Sequence, residues 1–132
     1  MDITSREHII QLINRFYEQV IQDETIGFIF NDIAKVNWEK HLPVMYDFWE
    51  TLLLDSAAYK ENVMGIHFSL NRKVPLEEKH FKRWLELFNS TLDSLYQGEV
   101  TELARKRAGS IAALMQFKMK QENEGHRIKN KE

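Results

Sequence analysis

The sequence predicts one all-α domain, and three observations carry that expectation. Only five Gly and two Pro occur among 132 residues, too little turn chemistry for a sandwich or barrel of many short strands. Apolar residues recur at three- and four-residue steps over long stretches, the period of an amphipathic helix. Eight Phe, four Tyr and three Trp are bulky filling for so short a chain. The length suits a single domain, one that buries enough surface to hold together without cross-links.

The elements follow in order. Thr4 with Glu7 three residues on reads as a capping box, and Ile9, Ile10, Ile13, Phe16, Tyr17, Val20 and Ile21 form the stripe of a first helix. Asp23-Glu24-Thr25 stops it. The short apolar piece Ile26-Gly27-Phe28-Ile29-Phe30 is too brief for a strand with a partner and reads as a turn of helix or a tight corner. Asn37 opens a second helix with the stripe Trp38, Leu42, Met45, Trp49 and Leu52, running to about Leu54. Pro43 lies inside it and is expected to kink it or delay its start. Residues 55–75 are the least regular, with a short helix expected over Asn62 to Phe68. Pro75 suits the first turn of a third long helix, whose stripe is Phe81, Trp84, Leu85, Phe88, Leu92, Leu95 and Tyr96, with Gly98 as its C-terminal cap. A fourth helix runs from about Thr101 to Met119. The domain is thus expected over residues 1–120, with 121–132 a polar, disordered tail.

Composition removes several function classes. With no cysteine, disulfide scaffolds, thiolate metal sites, cysteine nucleophiles and covalent c-type haem attachment are excluded. The longest unbroken apolar run, Ile111 to Met115, cannot span a bilayer, and the N-terminus lacks the pattern of a signal peptide, so a cytoplasmic protein without a membrane partner is expected. A net charge of −2 gives no electrostatic case for nucleic acid.

Among the five histidines, His8 and His126 lie in polar surroundings near the ends. Glu77 and His80 show the Glu-x-x-His spacing of di-iron bundles, but no second copy exists, and they read as a charged face of the third helix. His41 shares a helix face with Met45, Phe48 and Leu52, and His67 stands between Ile66 and Phe68. Either is explained as a satisfied core histidine. Two histidines on separate elements facing aromatic-rich helices also suit a flat apolar cofactor ligated by one neutral imidazole and approached by the other.

Five segments in register bear on that choice: Asn14-Arg15-Phe16-Tyr17-Glu18-Gln19-Val20; Ile26-Gly27-Phe28-Ile29-Phe30-Asn31; Trp38-Glu39-Lys40-His41 with Phe48-Trp49; Met64-Gly65-Ile66-His67; and His80-Phe81-Lys82-Arg83-Trp84-Leu85-Glu86-Leu87-Phe88. Their order and spacing across about residues 4–118 resemble the truncated haemoglobins. The Trp-x-x-His followed by Phe-Trp, and the absence of the paired-glycine motifs of other groups, are most similar to group III. Pro43, two residues after His41, departs from the pattern.

The resemblance implies a two-over-two helical sandwich around haem b. By position, His67 would be the proximal ligand to the haem iron, Tyr17 and Trp84 distal residues, and His41 the distal or gate residue. Phe30 would pack on the porphyrin, with Met45, Phe48, Trp49, Met64, Phe81 and Phe88 in the pocket or the core beside it. Arg72 and Lys73 are candidates for the propionates. The implied function is reversible binding of oxygen, and of nitric oxide, at a five-coordinate haem with a polar distal pocket. A second reading uses the same residues for peroxidase-like or NO-dioxygenase chemistry with a separate reductase. A third is a haem-free helical interaction module.

Overall fold

In the computed structural model, which describes residues 1–54 and 76–131 and side chains through residue 124, the first helix opens on Ser5 rather than Thr4. Ser5 has extended backbone and its hydroxyl accepts from the His8 N–H at 3.4 Å. The Thr4 N–H in turn donates to His8 Nδ1 at 3.0 Å. The cap therefore stands one residue later than expected, and it is His8 rather than Glu7 that reaches back, to the Thr4 N–H ahead of the N-cap, because an imidazole nitrogen can accept an N–H as a carboxylate does. Helix α1 (Arg6–Val20) buries Ile9, Leu12, Ile13, Phe16, Tyr17 and Val20.

The corner after α1 is fixed by Asp23. One carboxylate oxygen accepts from the Thr25 and Ile26 N–H groups at 3.0 and 3.2 Å, and the other accepts from Arg83 Nε at 2.7 Å. Gly27 closes against the end of α1, where a Cβ would stand 3.0 Å from the Ile21 carbonyl oxygen and 3.1 Å from that of Val20. A side chain there would force that backbone to give by a few tenths of an ångström, and glycine avoids the shift. A wide π turn, Ile29–Ile33, follows, its Ala34 N–H bonding the Ile29 carbonyl at 2.8 Å. The short apolar piece is thus helical, as its length requires, and it turns Ile29 and Phe30 inward.

Helix α2 (Trp38–Leu54) runs unbroken through Pro43. The proline is exposed and lies within the second turn, so its missing N–H leaves one backbone carbonyl near the helix start to solvent, and the start is not delayed. Pro75 is outside the described residues. Helix α3 (Glu78–Leu95) begins three residues beyond it and buries His80, Phe81, Leu87, Phe88, Thr91 and Leu92. Helix α4 (Glu99–Lys131) buries Thr101, Ala104, Ala108, Ala112, Met115 and Met119 along one stripe whose alanines let α3 approach closely. The helix expected to end near Met119 continues to Lys131.

Gly98 does not cap α3, which ends at Leu95. It stands at φ +141°, where a Cβ would fall 2.5 Å from the Asp2 side chain. Asp2 accepts there from the Val100 and Thr101 N–H groups at 2.8 Å each and from the Thr101 hydroxyl at 2.7 Å, capping α4 from the far end of the chain. Gln97 N–H bonds the Met1 carbonyl at 2.9 Å, and Ile3 is fully buried.

Helix α1 packs on α2 and α3, α4 packs on α3, and α2 reaches α4. Two helices lie over two, as the family resemblance implies. No described helix is long and apolar enough to cross a membrane.

Candidate functional site

Between the two layers lies a cleft with about 850 Å³ of open space, counted to its solvent mouth. Its position follows from helical period. On α2, His41, Met45, Phe48 and Trp49 fall on one face. On α3, His80, Phe81 and Trp84 recur at the same spacing, and on α4, Ile111, Ala112 and Met115 do. Tyr17 from α1, and Ile26, Ile29 and Phe30 from the corner, complete the wall with Leu76. The lining is mostly hydrocarbon, and its polar side-chain groups are the Tyr17 hydroxyl, two imidazoles and the indole N–H groups of Trp49 and Trp84. Such a cavity suits a flat apolar ligand oriented by a few donors.

The expected distal residues converge on it. Tyr17 and His41 meet edge to face with ring centroids 5.4 Å apart. Burial alone pushes the Tyr17 phenol pKa up, and among the described residues no hydrogen-bonding or charged partner offsets it. Tyr17 therefore stays protonated near neutrality and offers an O–H. Trp84 reaches the same wall from α3, held edge-on by Phe16 at 5.6 Å and stacked on Phe88 at 5.6 Å.

Phe30, Met45, Phe48, Trp49 and Phe81 all line the cavity. Phe88 does not. It is fully buried behind the wall, stacked on Trp49 at 4.8 Å, so it supports the two tryptophans rather than touching the space. Met64, His67, Arg72 and Lys73 lie outside the described residues.

The structure overturns the charged-face reading of His80. That residue is 8% exposed and lines the cavity. Its Nδ1 accepts the Glu77 N–H at 3.0 Å, which places the ring proton on Nε2 and fixes the tautomer. Burial, aided by the charge of Lys79 and opposed by Glu77, holds its pKa below the ordinary imidazole value. The sequence held a signal for this role, since Glu77-x-x-His80 before an apolar stripe is also the spacing of a helix cap. Ile26, Ile29, Leu76, Ile111, Ala112 and Met115 were legible as apolar positions, but nothing in their period distinguishes a cavity wall from a filled core.

No protein-family model matches the chain. A group 3 truncated hemoglobin of Campylobacter jejuni is 30% identical over 115 residues, spanning 85% of this chain and 88% of that protein. The crystal structure of a group III truncated hemoglobin from Campylobacter jejuni superposes with a TM-score of 0.78 at 29% identity, covering 90% of this chain and 94% of the other.

Proposed function

The chain belongs to the group III truncated haemoglobins, and on that premise we propose that it binds oxygen reversibly, and nitric oxide with it, at a haem b seated in the cleft between the two helical layers. The observation that carries this reading is the convergence of Tyr17, His41 and Trp84 on one hydrocarbon-walled cavity. A haem bound there would supply an iron able to take a diatomic ligand. His67 is the residue proposed to hold that iron, by its place in the family pattern. Phe30, Met45, Phe48, Trp49 and Phe81 pack against the flat faces and exclude water, and without cysteine the group is held by ligation and packing alone.

What the chain's own residues do follows from their donor inventory. Tyr17 at neutral pH donates one O–H, and Trp84 can donate only its N–H. His41, across from Tyr17, donates or accepts according to its tautomer. Donors facing a small space would favour a ligand that carries partial negative charge over one that does not. Each such hydrogen bond contributes roughly 1–2 kcal/mol, so losing one speeds oxygen release by about 5- to 30-fold.

The test is spectroscopic first and kinetic second. Purified protein supplied with haem should show a Soret band, and His67→Ala should lose it; a wild-type chain without the band would leave a haem-free interaction module. Tyr17→Phe should raise the oxygen off-rate by about 5- to 30-fold while carbon monoxide, a poorer acceptor, is less affected. Equal effects on both gases would refute the donor role. Sustained turnover of peroxide, or of nitric oxide with oxygen and a reductase, would move the conclusion from binding to catalysis.

A further inference from the structure

His80 brings to the cavity a proton donor that the distal set does not include. Its ring is more than nine-tenths buried, and it forms part of the cavity wall. Nδ1 is committed, since it accepts the Glu77 N–H at 3.0 Å and leaves the proton on Nε2. With Nδ1 turned back to the start of α3, Nε2 at the far end of the ring is the nitrogen turned outward from the helix. Among the described residues this N–H meets no acceptor. A donor buried to this degree calls for one.

The residue stands where the wall meets the surface. Its ring lies edge to face with Phe28, centroids 6.3 Å apart, and Phe28 is 39% exposed. Glu77, Glu78 and Lys79 just before it are exposed as well. Four residues on, about 6 Å along α3, Trp84 presents its N–H from the same face, held between Phe16 and Phe88. Helix α3 therefore carries two donors in one row, an inner indole and an outer imidazole. No Asp, Glu, Lys or Arg is among the described residues that line the cavity. A carboxylate at its edge thus meets no like charge on the wall, and a neutral N–H holds it without a cation having to be buried. The positive end of the α3 dipole acts in the same sense. Outside the wall, Lys79 and Glu77 pair at 3.7 Å with exposed side chains and largely offset one another.

We propose that the His80 Nε2–H binds a carboxylate of the cofactor and so sets how the flat group is turned in the cavity. The inference rests on the reading above. Haem b is an apolar ring system with two carboxylates on one edge, so packing against hydrocarbon seats the ring, and a donor at the rim orients that edge. His80 then holds the edge, whereas Tyr17 and Trp84 serve the gaseous ligand.

The experiment measures loss of cofactor to a scavenging apoglobin, by decay of the Soret band, for haem b and for its dimethyl ester, whose carboxylates are blocked. His80→Glu keeps an acceptor for the Glu77 N–H, as in a capping box, but has no donor and adds a charge of the wrong sign. It is expected to release haem b about tenfold faster than wild type, and the ester about twofold faster at most. His80→Gln keeps both an acceptor and an amide N–H, and is expected to restore most of the retention. If His80→Glu fails to fold, the wild-type chain still decides. In its diamagnetic carbon monoxide form, the His80 Nε2–H proton should resonate further downfield with haem b than with the ester. Equal release of haem b by wild type and His80→Glu would overturn the anchor while leaving the haem reading intact. So would the same acceleration for haem b and ester, a loss in His80→Gln as large as in His80→Glu, or one proton shift for both cofactors. A wild-type chain that takes up neither cofactor would overturn both readings.

Discussion

At the scale of single residues, His80 shows how burial and a backbone bond together set a protonation state. A proton on Nδ1 would face the Glu77 N–H that this nitrogen now accepts, and the added charge would sit in the largely hydrocarbon wall of the cavity, with the Phe28 ring beside it. The folded pKa is lowered, so this residue contributes stability in full above the unfolded value near 6.5, and that contribution is lost as pH falls from there through the lowered value. Thermal melts of wild type should therefore fall more steeply between about pH 7 and pH 5 than those of His80→Gln, which keeps an acceptor at the capping position but cannot titrate. Parallel pH profiles for the two proteins would refute the assignment. Asp2 has the opposite ionisation and the same sign of linkage. Burial works against its charged form, but the hydrogen bonds from Val100, Thr101 and Ile3 outweigh it and bring its pKa down to about 2. Its contribution is present above the ordinary carboxylate range and lost as pH falls toward 2.

At the scale of elements, the start of α4 is decided by residues at the opposite end of the chain. Asp2 fills the capping role that no residue next to the helix takes, and Gly98 provides both the positive φ and the room for that carboxylate. Asp2→Ala should cost about 1 kcal/mol, the usual loss of a helix cap. Gly98→Ala should cost about 1–3 kcal/mol through strained backbone and displacement of Asp2. In denaturant melts the double variant should lose less than the two single losses together, since the methyl group added at position 98 cannot displace a cap already removed. Full additivity would separate the two residues. The corner after α1 is a comparable device. Asp23, 6% exposed at its side chain, satisfies two N–H groups of its own turn and the Arg83 guanidinium of α3. One carboxylate thus aims the π turn that carries Ile29 and Phe30 to the cavity.

At the scale of the whole molecule, the two layers are joined by stacked rings. Phe88 lies at 4.8 Å from Trp49 and 5.6 Å from Trp84, with Phe16 edge-on to it at 5.3 Å. It links the wall from α2 to the wall from α3 without reaching the space between them. Phe88→Ala should cost about 3–5 kcal/mol and, by letting the Trp84 ring shift, raise the oxygen off-rate as well. An off-rate equal to wild type would mean that Trp84 is positioned independently of the core.

Much of this was legible in the chain. The four long helices, the helical corner at Ile26–Phe30, and the cavity positions of Phe30, Met45, Phe48, Trp49, Phe81, Tyr17, His41 and Trp84 all follow from period together with the family pattern, because a helix displays its sequence spacing directly as a face. Three features were not. His80 looked like surface because its neighbours Glu77, Glu78 and Lys79 are charged, and period cannot tell which way a residue at a helix start folds back. Phe88 carries the same apolar signal as the residues that line the cavity, since burial against a core and burial against a void leave one trace in sequence. The link from Asp2 to α4 joins residues 98 positions apart, and no local spacing encodes a contact of that range. Local hydrophobic order thus determined the helices and their inward faces, whereas the tertiary structure decided which inward residues meet a partner and which face open space, because that depends on where the other helices end.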